Sequence, residues 1–354
     1  MKKKEEIPWK IHLIIGILIF LVLSLLILNY FFFFKKTITT CGDGTLYEEC
    51  SFRKPYFCSD GILLKKASIC GCPEILTINK VNEDECVSKY EGESKQINLK
   101  YVLRGEEYIM NILVYKKLYD YVSKLSRSID YSAGEEPSLL DFKLMKIDEI
   151  QQRQLLLPFV TKIQNIASNK EDQARIAISI IQNIPFGSSN KTFKFGNSEM
   201  EYSRYPYEVL YDMEGICGEK TELLIFLLRE LGYGTAFIHY QSENHEAVGI
   251  KCPIKYGVDN TEYCFVETTG PSIITDDETE YSEFGKLSSV PEIVEVSNGI
   301  SLGNKIYEYK DAEKLMSIRE AMQKYGRINM FQYYRFNKLK EKYGLEDFSD
   351  SYVF

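Results

Sequence analysis

The stretch from Asp212 to Gly270 decides the reading of this chain. It runs DMEGICGEKTELLIFLLRELGYGTAFIHYQSENHEAVGI from Asp212 to Ile250, then a polar loop, then EYCFVETTG from Glu262 to Gly270. Leu223, Leu224, Leu227, Leu228 and Leu231 recur at helical spacing, and Gly232 ends the stripe. Cys217 thus stands at the start of a helix, with Gly215 and Gly218 letting backbone and substrate approach closely. A thiol at a helix N-terminus ionises more easily, because the dipole and the unpaired N–H groups favour the thiolate. A lone cysteine is also often a small buried residue. By position alone the two roles weigh evenly.

Two other side chains complete the chemistry. His245 immediately precedes the apolar run of a strand, where the backbone would be fixed and the ring could face a cleft. It would act as base toward the thiol and return a proton to a leaving amine. Glu267 closes the run Phe265-Val266 and could orient the imidazole. Taken alone, Glu267 reads better as a solvated edge carboxylate. His239 lies inside the strand-like run Thr235–Tyr240 and reads as structural. A metal site built from Cys217, His239, His245 and Glu267 is the competing arrangement.

Cysteine usage bears on the choice. Six of nine cysteines fall between Cys41 and Cys86: Cys41, Cys50, Cys58, Cys70, Cys72 and Cys86. An even cluster in a short segment, without histidine, reads as a disulfide knot rather than a zinc module; its connectivity is open. Cys252 and Cys264 flank a polar turn between two strands and suit a further pair. Cys217 is left as the single free thiol in an oxidising compartment.

Ile11–Phe34 carries no formal charge over 24 residues, with Trp9 and Tyr30 placed for the two interfaces and His12 near its inner end. It reads as an uncleaved signal anchor with the N-terminus inside. Residues 1–36 hold six Lys and two Glu, so the remainder carries −12 of the overall −8. An acidic body argues against nonspecific nucleic-acid binding. No cofactor is expected. The acidic run Asp276–Glu280, part of a loop to Glu283, has calcium-type ligands, but such runs are more often solvated.

Between anchor and core, residues 37–92 read as a stalk or spacer. Ile97–Leu103 and Tyr108–Tyr115 alternate as a hairpin around Arg104-Gly105, and a helix follows. Polar residues 126–137 mark a plausible boundary. Leu139–Ser168 is expected to be helical with a break near Pro158. The next helix is expected to be capped by Ser168 with Glu171 and to stop at Pro185. Residues 186–200 read as a surface loop holding the sequon Asn190-Lys-Thr192. Ile293–Val296 is a possible strand, and helices are expected over Asp311–Tyr325 and Ile328–Tyr343.

The pattern G-x-C-G-E-K-T-x-L-L-x-x-L-L-R-E-L-G-Y, followed by N-H-E-A-V-G-I and F-V-E-T-T-G, resembles the transglutaminase-like superfamily, a branch of the papain-like cysteine enzymes. It is similar in particular to membrane-anchored archaeal and bacterial members. Arg204-Tyr-Pro-Tyr-Glu-Val-Leu upstream is similar too. The likeness covers residues 170–290, about a third of the chain.

The resemblance implies an α+β fold, a Cys-bearing helix packed on an antiparallel sheet, with a Cys217–His245–Glu267 triad. One departure exists, since the third member is usually Asp. The implied chemistry is acyl transfer from a protein, peptide or cell-envelope amide through a thioester on Cys217, with hydrolysis favoured over cross-linking. The Cys217 N–H would face the oxyanion, and Tyr207 or Tyr202 would be the second donor. The alternative is an inactive binding or scaffold module on the same fold.

The expected organisation is a cytoplasmic tail (1–10), a transmembrane anchor (11–34), a disulfide-rich extracytoplasmic segment (37–92), a hairpin and helical region (96–168), a transglutaminase-like catalytic domain (169–290) and a C-terminal helical region (291–354).

Overall fold

The computed structural model describes residues 9–33, 40–195, 198–278, 280–281 and 285–345. The chain divides into two compact units, residues 1–39 and 40–354. The first holds helix α1, Trp9–Phe33. Its described side chains, Trp9 and residues 13–27, are almost all exposed. Among the described residues, no helix is long and apolar enough to cross a membrane. The expected anchor runs on into Phe34, which lies outside the described residues together with residues 1–8, Lys35 and Lys36; the side chains of His12 and Tyr30 do too.

The second unit is α+β with four disulfides. Three cross-link its opening segment: Cys41–Cys58, Cys50–Cys70 and Cys72–Cys86. That segment carries a small hairpin, β1 (Tyr56–Ser59) and β2 (Ile62–Lys65), a short helix α2 (Ala67–Cys70), and the pair β3 (Thr77–Ile78) and β4 (Cys86–Val87). Strands β5 (Ser94–Leu103) and β6 (Glu106–Tyr115) form a second hairpin. Arg104 and Gly105 at its turn both have positive φ, the primed geometry that matches strand twist. Helices α3 (Lys116–Val122), α4 (Leu139–Ile147), α5 (Ile150–Ile166) and α6 (Lys170–Gln182) follow.

The disulfide-rich segment is no free stalk. Arg53, buried, donates to Gln164 Oε1 (3.1 Å) on α5 and lies 3.5 Å from Glu230 Oε2. Gln173 Nε2 donates to the Gly42 carbonyl (2.7 Å), and Asn165 Oδ1 accepts from Leu63 N–H (2.8 Å). A Cβ at Gly42 would lie 2.1 Å from the Gln164 carbonyl oxygen, so only glycine permits this approach. The cross-linked segment is thus seated on α5 and α6 by buried polar contacts, which a spacer would not make.

Three local expectations shift. The helical break falls at Asp148 and Glu149, where Glu149 accepts the Gln152 N–H (2.7 Å). Pro158 lies inside α5 on its exposed side, where the carbonyl it leaves unbonded can be hydrated. The cap of α6 is Asn169, accepting from Asp172 N–H (2.8 Å), one residue beyond Ser168. Residues 186–200 are not simply a loop: β7 (Thr192–Phe195) pairs with β8 (Ser198–Glu201).

Helix α7 (Pro206–Asp212) leads into α8 (Cys217–Glu230). Then come β9 (Thr235–Tyr240), β10 (His245–Lys251) and β11 (Tyr263–Val266). A short pair, β12 (Glu280–Tyr281) and β13 (Gly285–Lys286), precedes β14 (Glu292–Ser297). The central sheet has the order β11-β10-β9-β14, all antiparallel. Leu223, Leu224, Leu227 and Leu228 of α8 are wholly buried in one core with Phe237, Val248 and Val266 of this sheet. Burying each such side chain contributes about 1.5–3 kcal/mol. Helices α9 (Tyr307–Tyr325) and α10 (Met330–Tyr343) close the body around Ile273, Leu315, Ile318, Phe336 and Leu339.

Candidate active site

Helix α8 starts where the loop before it is pinned. The Glu219 carboxylate accepts from Ile216 N–H (3.1 Å) and Arg204 N–H (2.6 Å). The buried Arg204 guanidinium reaches Glu219 (3.1 Å), Asp212 (3.2 Å), Glu214 (3.0 Å) and the Gly187 carbonyl (3.1 Å). Gly215 N–H donates to the Pro185 carbonyl (3.3 Å), and Gly187 N–H to that of Gly215 (3.2 Å). Cys217 emerges from this frame half-buried and free of any disulfide. The fourth disulfide, Cys252–Cys264, ties β10 to β11 as the spacing of those cysteines suggested.

The first turn of α8 is stitched to the strands carrying the other two residues. Thr268 Oγ1 donates to the Cys217 carbonyl (3.4 Å) and lies 3.3 Å from Thr221 Oγ1, which donates to the Glu246 carbonyl (3.3 Å). His245 opens β10 after Asn244, whose φ is positive, and Glu267 follows the last residue of β11. Both are buried, at 3% and 2% exposure. His245 Nε2 stands 2.9 Å from Glu267 Oε2. The other carboxylate oxygen accepts from Thr268 N–H, Thr269 N–H and Thr269 Oγ1, each at 2.8 Å. Gln182 on α6 donates to the backbone carbonyls of Glu267 (3.0 Å) and Ser272 (3.2 Å).

The Cys217 thiol and the Glu267 carboxylate both act on the His245 imidazole. Burial works against a charged ring here, but Cys217 and Glu267 outweigh it and push His245 up to about 10. Of the three residues singled out from the sequence, His245 and Glu267 are hydrogen-bonded, and Cys217 opens the helix stitched to their strands through Thr268 and Thr221.

His239 stands apart. It pairs across the sheet with Glu246, while His245 pairs with Tyr240, so the two imidazoles project from opposite faces. His239 Nδ1 lies 3.3 Å from Glu246 Oε1, which holds the ring's pKa above its ordinary value. Glu246 also takes Lys143 (2.6 Å), and Lys143 and Lys146 both reach the buried Glu222 (3.2 and 2.6 Å). The proposed four-ligand metal arrangement does not assemble, because the register splits its histidines. Among the described residues no group of three or more His, Cys, Asp or Glu is gathered to hold a metal.

The two tyrosines named for the oxyanion are committed elsewhere. Tyr207 Oη accepts the Tyr115 N–H (2.6 Å) at the end of β6. Tyr202 Oη donates to Glu208 (2.5 Å) and accepts from Arg127 (2.5 Å). The acidic run is not simply solvated: Asp276 is fully buried and pairs with Arg319 of α9, although residues 279 and 282–284 lie outside the described residues.

Lys220 was not anticipated. It lies on the same stripe as Leu224, Leu227 and Leu231, an ionisable residue on a buried face, and that placement was the available signal. Gln182 was missed because its acceptors, the Glu267 and Ser272 carbonyls, are distant in sequence; Glu219, three residues after Ile216, offered a local capping signal that was not used, and Arg204 shows its role only through that carboxylate. A cleft of about 400 Å³ opens among Tyr56, Leu113 and Pro158, and none of Cys217, His245 and Glu267 lines it.

No protein-family model matches this chain, and no curated protein does. Among solved structures the chain is similar to calcium-bound LapG of Legionella pneumophila, at 14% identity and a TM-score of 0.21, over 48% of this chain and 99% of that one. A likeness this slight identifies neither family nor activity, and the functional case stands on the site itself.

Proposed function

We propose that this chain is a transglutaminase-like cysteine enzyme transferring acyl groups from amide substrates, acting as a peptidase or amidase rather than a cross-linker. The observation that carries this reading is His245 hydrogen-bonded to Glu267 and acted on by Cys217, a cysteine outside the four disulfides. In it, the Cys217 thiolate attacks an amide carbonyl and forms the S–C bond. The C–N bond breaks as His245 gives its proton to the leaving amine. Water then attacks the thioester, His245 takes a proton from it, and the acid and the thiol are released. The Cys217 N–H, in the first turn of α8, is the candidate oxyanion donor. Water is the favoured acceptor for a half-exposed thiol.

Four disulfides support a location outside the cytoplasm, and the uncharged sequence run Ile11–Phe34 supports attachment to a membrane from the N-terminal side. Protein, peptide and cell-envelope amides are the proposed substrate class, and the acidic body disfavours nucleic acid. The test is an electrophilic, thiol-directed activity probe on the unreduced protein. Wild type should be labelled at Cys217, Cys217→Ala not at all, and His245→Ala far more slowly. Equal labelling of wild type and His245→Ala would remove the case for a catalytic pair and favour a binding module.

A further inference from the structure

Lys220 is wholly buried, one helical turn beyond Cys217. Its ammonium donates to the backbone carbonyls of Ile184 (2.5 Å) and Thr269 (3.2 Å), neither of which carries charge. Gly215 lies against its stem, where a Cβ would come within 3.1 Å of Lys220 Cγ. The charged groups acting on it are Glu267, from the loop after β11, and Cys217, from its own helix. Burial also bars Lys220 from serving as an acyl acceptor.

We propose that Lys220 is a positioning residue for the thiol chemistry, its buried ammonium providing the second cation against which the Cys217 thiolate and the Glu267 carboxylate are held. The inference rests on the reading of Cys217 as nucleophile. A site with a thiolate, a carboxylate and one imidazolium carries a net negative charge; Lys220 brings it to zero. Cations beside a cysteine favour its thiolate. The same ammonium ties the Thr269 loop, which holds Glu267, to the Ile184 end of α6. Burial lowers Lys220 to about 8, with Glu267 and Cys217 pulling the other way.

The experiment separates charge from tether. Iodoacetamide alkylation of Cys217 is followed from pH 4 to 9 in wild type, Lys220→Met and Lys220→Gln, with thermal melts to confirm folding. Gln keeps a donor for the two carbonyls but loses the charge. The proposal expects both variants to need a pH about one unit higher to reach half the plateau rate, which is about a tenfold slowing on the acid side. A Lys220→Gln profile that overlays wild type would overturn it and leave the lysine a tether. Should neither variant fold, NMR titration of the lysine Nζ in wild type and Cys217→Ala decides. Its midpoint should fall in Cys217→Ala, and an unchanged midpoint would overturn the proposal. Failure of the nucleophile reading is distinguishable, since wild-type Cys217 would then resist the activity probe whatever the lysine does.

Discussion

Glu267 Oε2 lies 2.9 Å from His245 Nε2, while its Oε1 is held by three donors from Thr268 and Thr269. The two threonines thus fix the long side chain of Glu267 with one oxygen facing the imidazole. Glu267→Gln preserves shape but removes the charge, and acylation by the thiol probe should slow by about 10²–10⁴-fold. Glu267→Asp should also slow it, since the shorter arm cannot span the threonine N–H groups and the imidazole together. Single-turnover acylation rates would test both; an Asp variant as fast as wild type would contradict the reach argument.

Stability should follow the charge on His245. Its folded-state value, pushed up to about 10, lies above the ordinary 6.5. The stabilisation it brings is therefore fully present below about pH 6.5 and is lost as pH rises through about 10. The stability gap between wild type and Glu267→Gln, from urea melts, should be wide at pH 6 and narrow by pH 10.5. A gap constant over that range would count against the imidazolium pair.

Gly218 supports the site from the other side of α8's first turn. A Cβ there would fall 2.6 Å from Glu246 Oε2, the oxygen that takes Lys143. Gly218→Ala should displace Glu246 and lower stability by about 1–3 kcal/mol, the range of overpacking. A melt within error of wild type would show that the carboxylate moves freely.

Arg53→Ala tests the docking of the disulfide-rich segment. It removes a buried cation from Gln164 and Glu230, although Arg153 still reaches Glu230 at 2.7 Å. The loss should lie at the low end of the ~3–5 kcal/mol seen when a buried pair is broken. Were the segment an independent spacer, unfolding of residues 170–345 would not respond.

Alkylation of the denatured but unreduced protein should modify one cysteine per chain, at Cys217, and nine after reduction. Mass spectrometry reads both numbers. A second labelled residue before reduction would mean that one of the four cross-links is absent.

Much of this was legible from local pattern. The Leu stripe of α8, the alternation of β5 and β6, and the isolation of Cys217 from eight paired cysteines all depend on neighbours in sequence. The cap of α6 slipped by one because Ser168 and Asn169 both suit the role and only the path of the chain chooses. Pro158 breaks nothing because it happens to face outward. Tyr202 and Tyr207 looked available until their partners, Arg127 and Tyr115, were brought to them by the fold. The same applies to Lys220 and Gln182, whose acceptors are backbone carbonyls and so leave no mark in any motif.

The seat of Gly42 on Gln164 has a mechanical meaning. Tension arriving along the chain from residues before Thr40 meets Cys41, whose cross-link to Cys58 bypasses the intervening loop, and then Gly42, tied to α5 and α6. The load enters at those helices, far along the chain from Cys217. Because α6 also carries Gln182, which donates to the Glu267 carbonyl, a pull on that end is transmitted toward the carboxylate that faces His245.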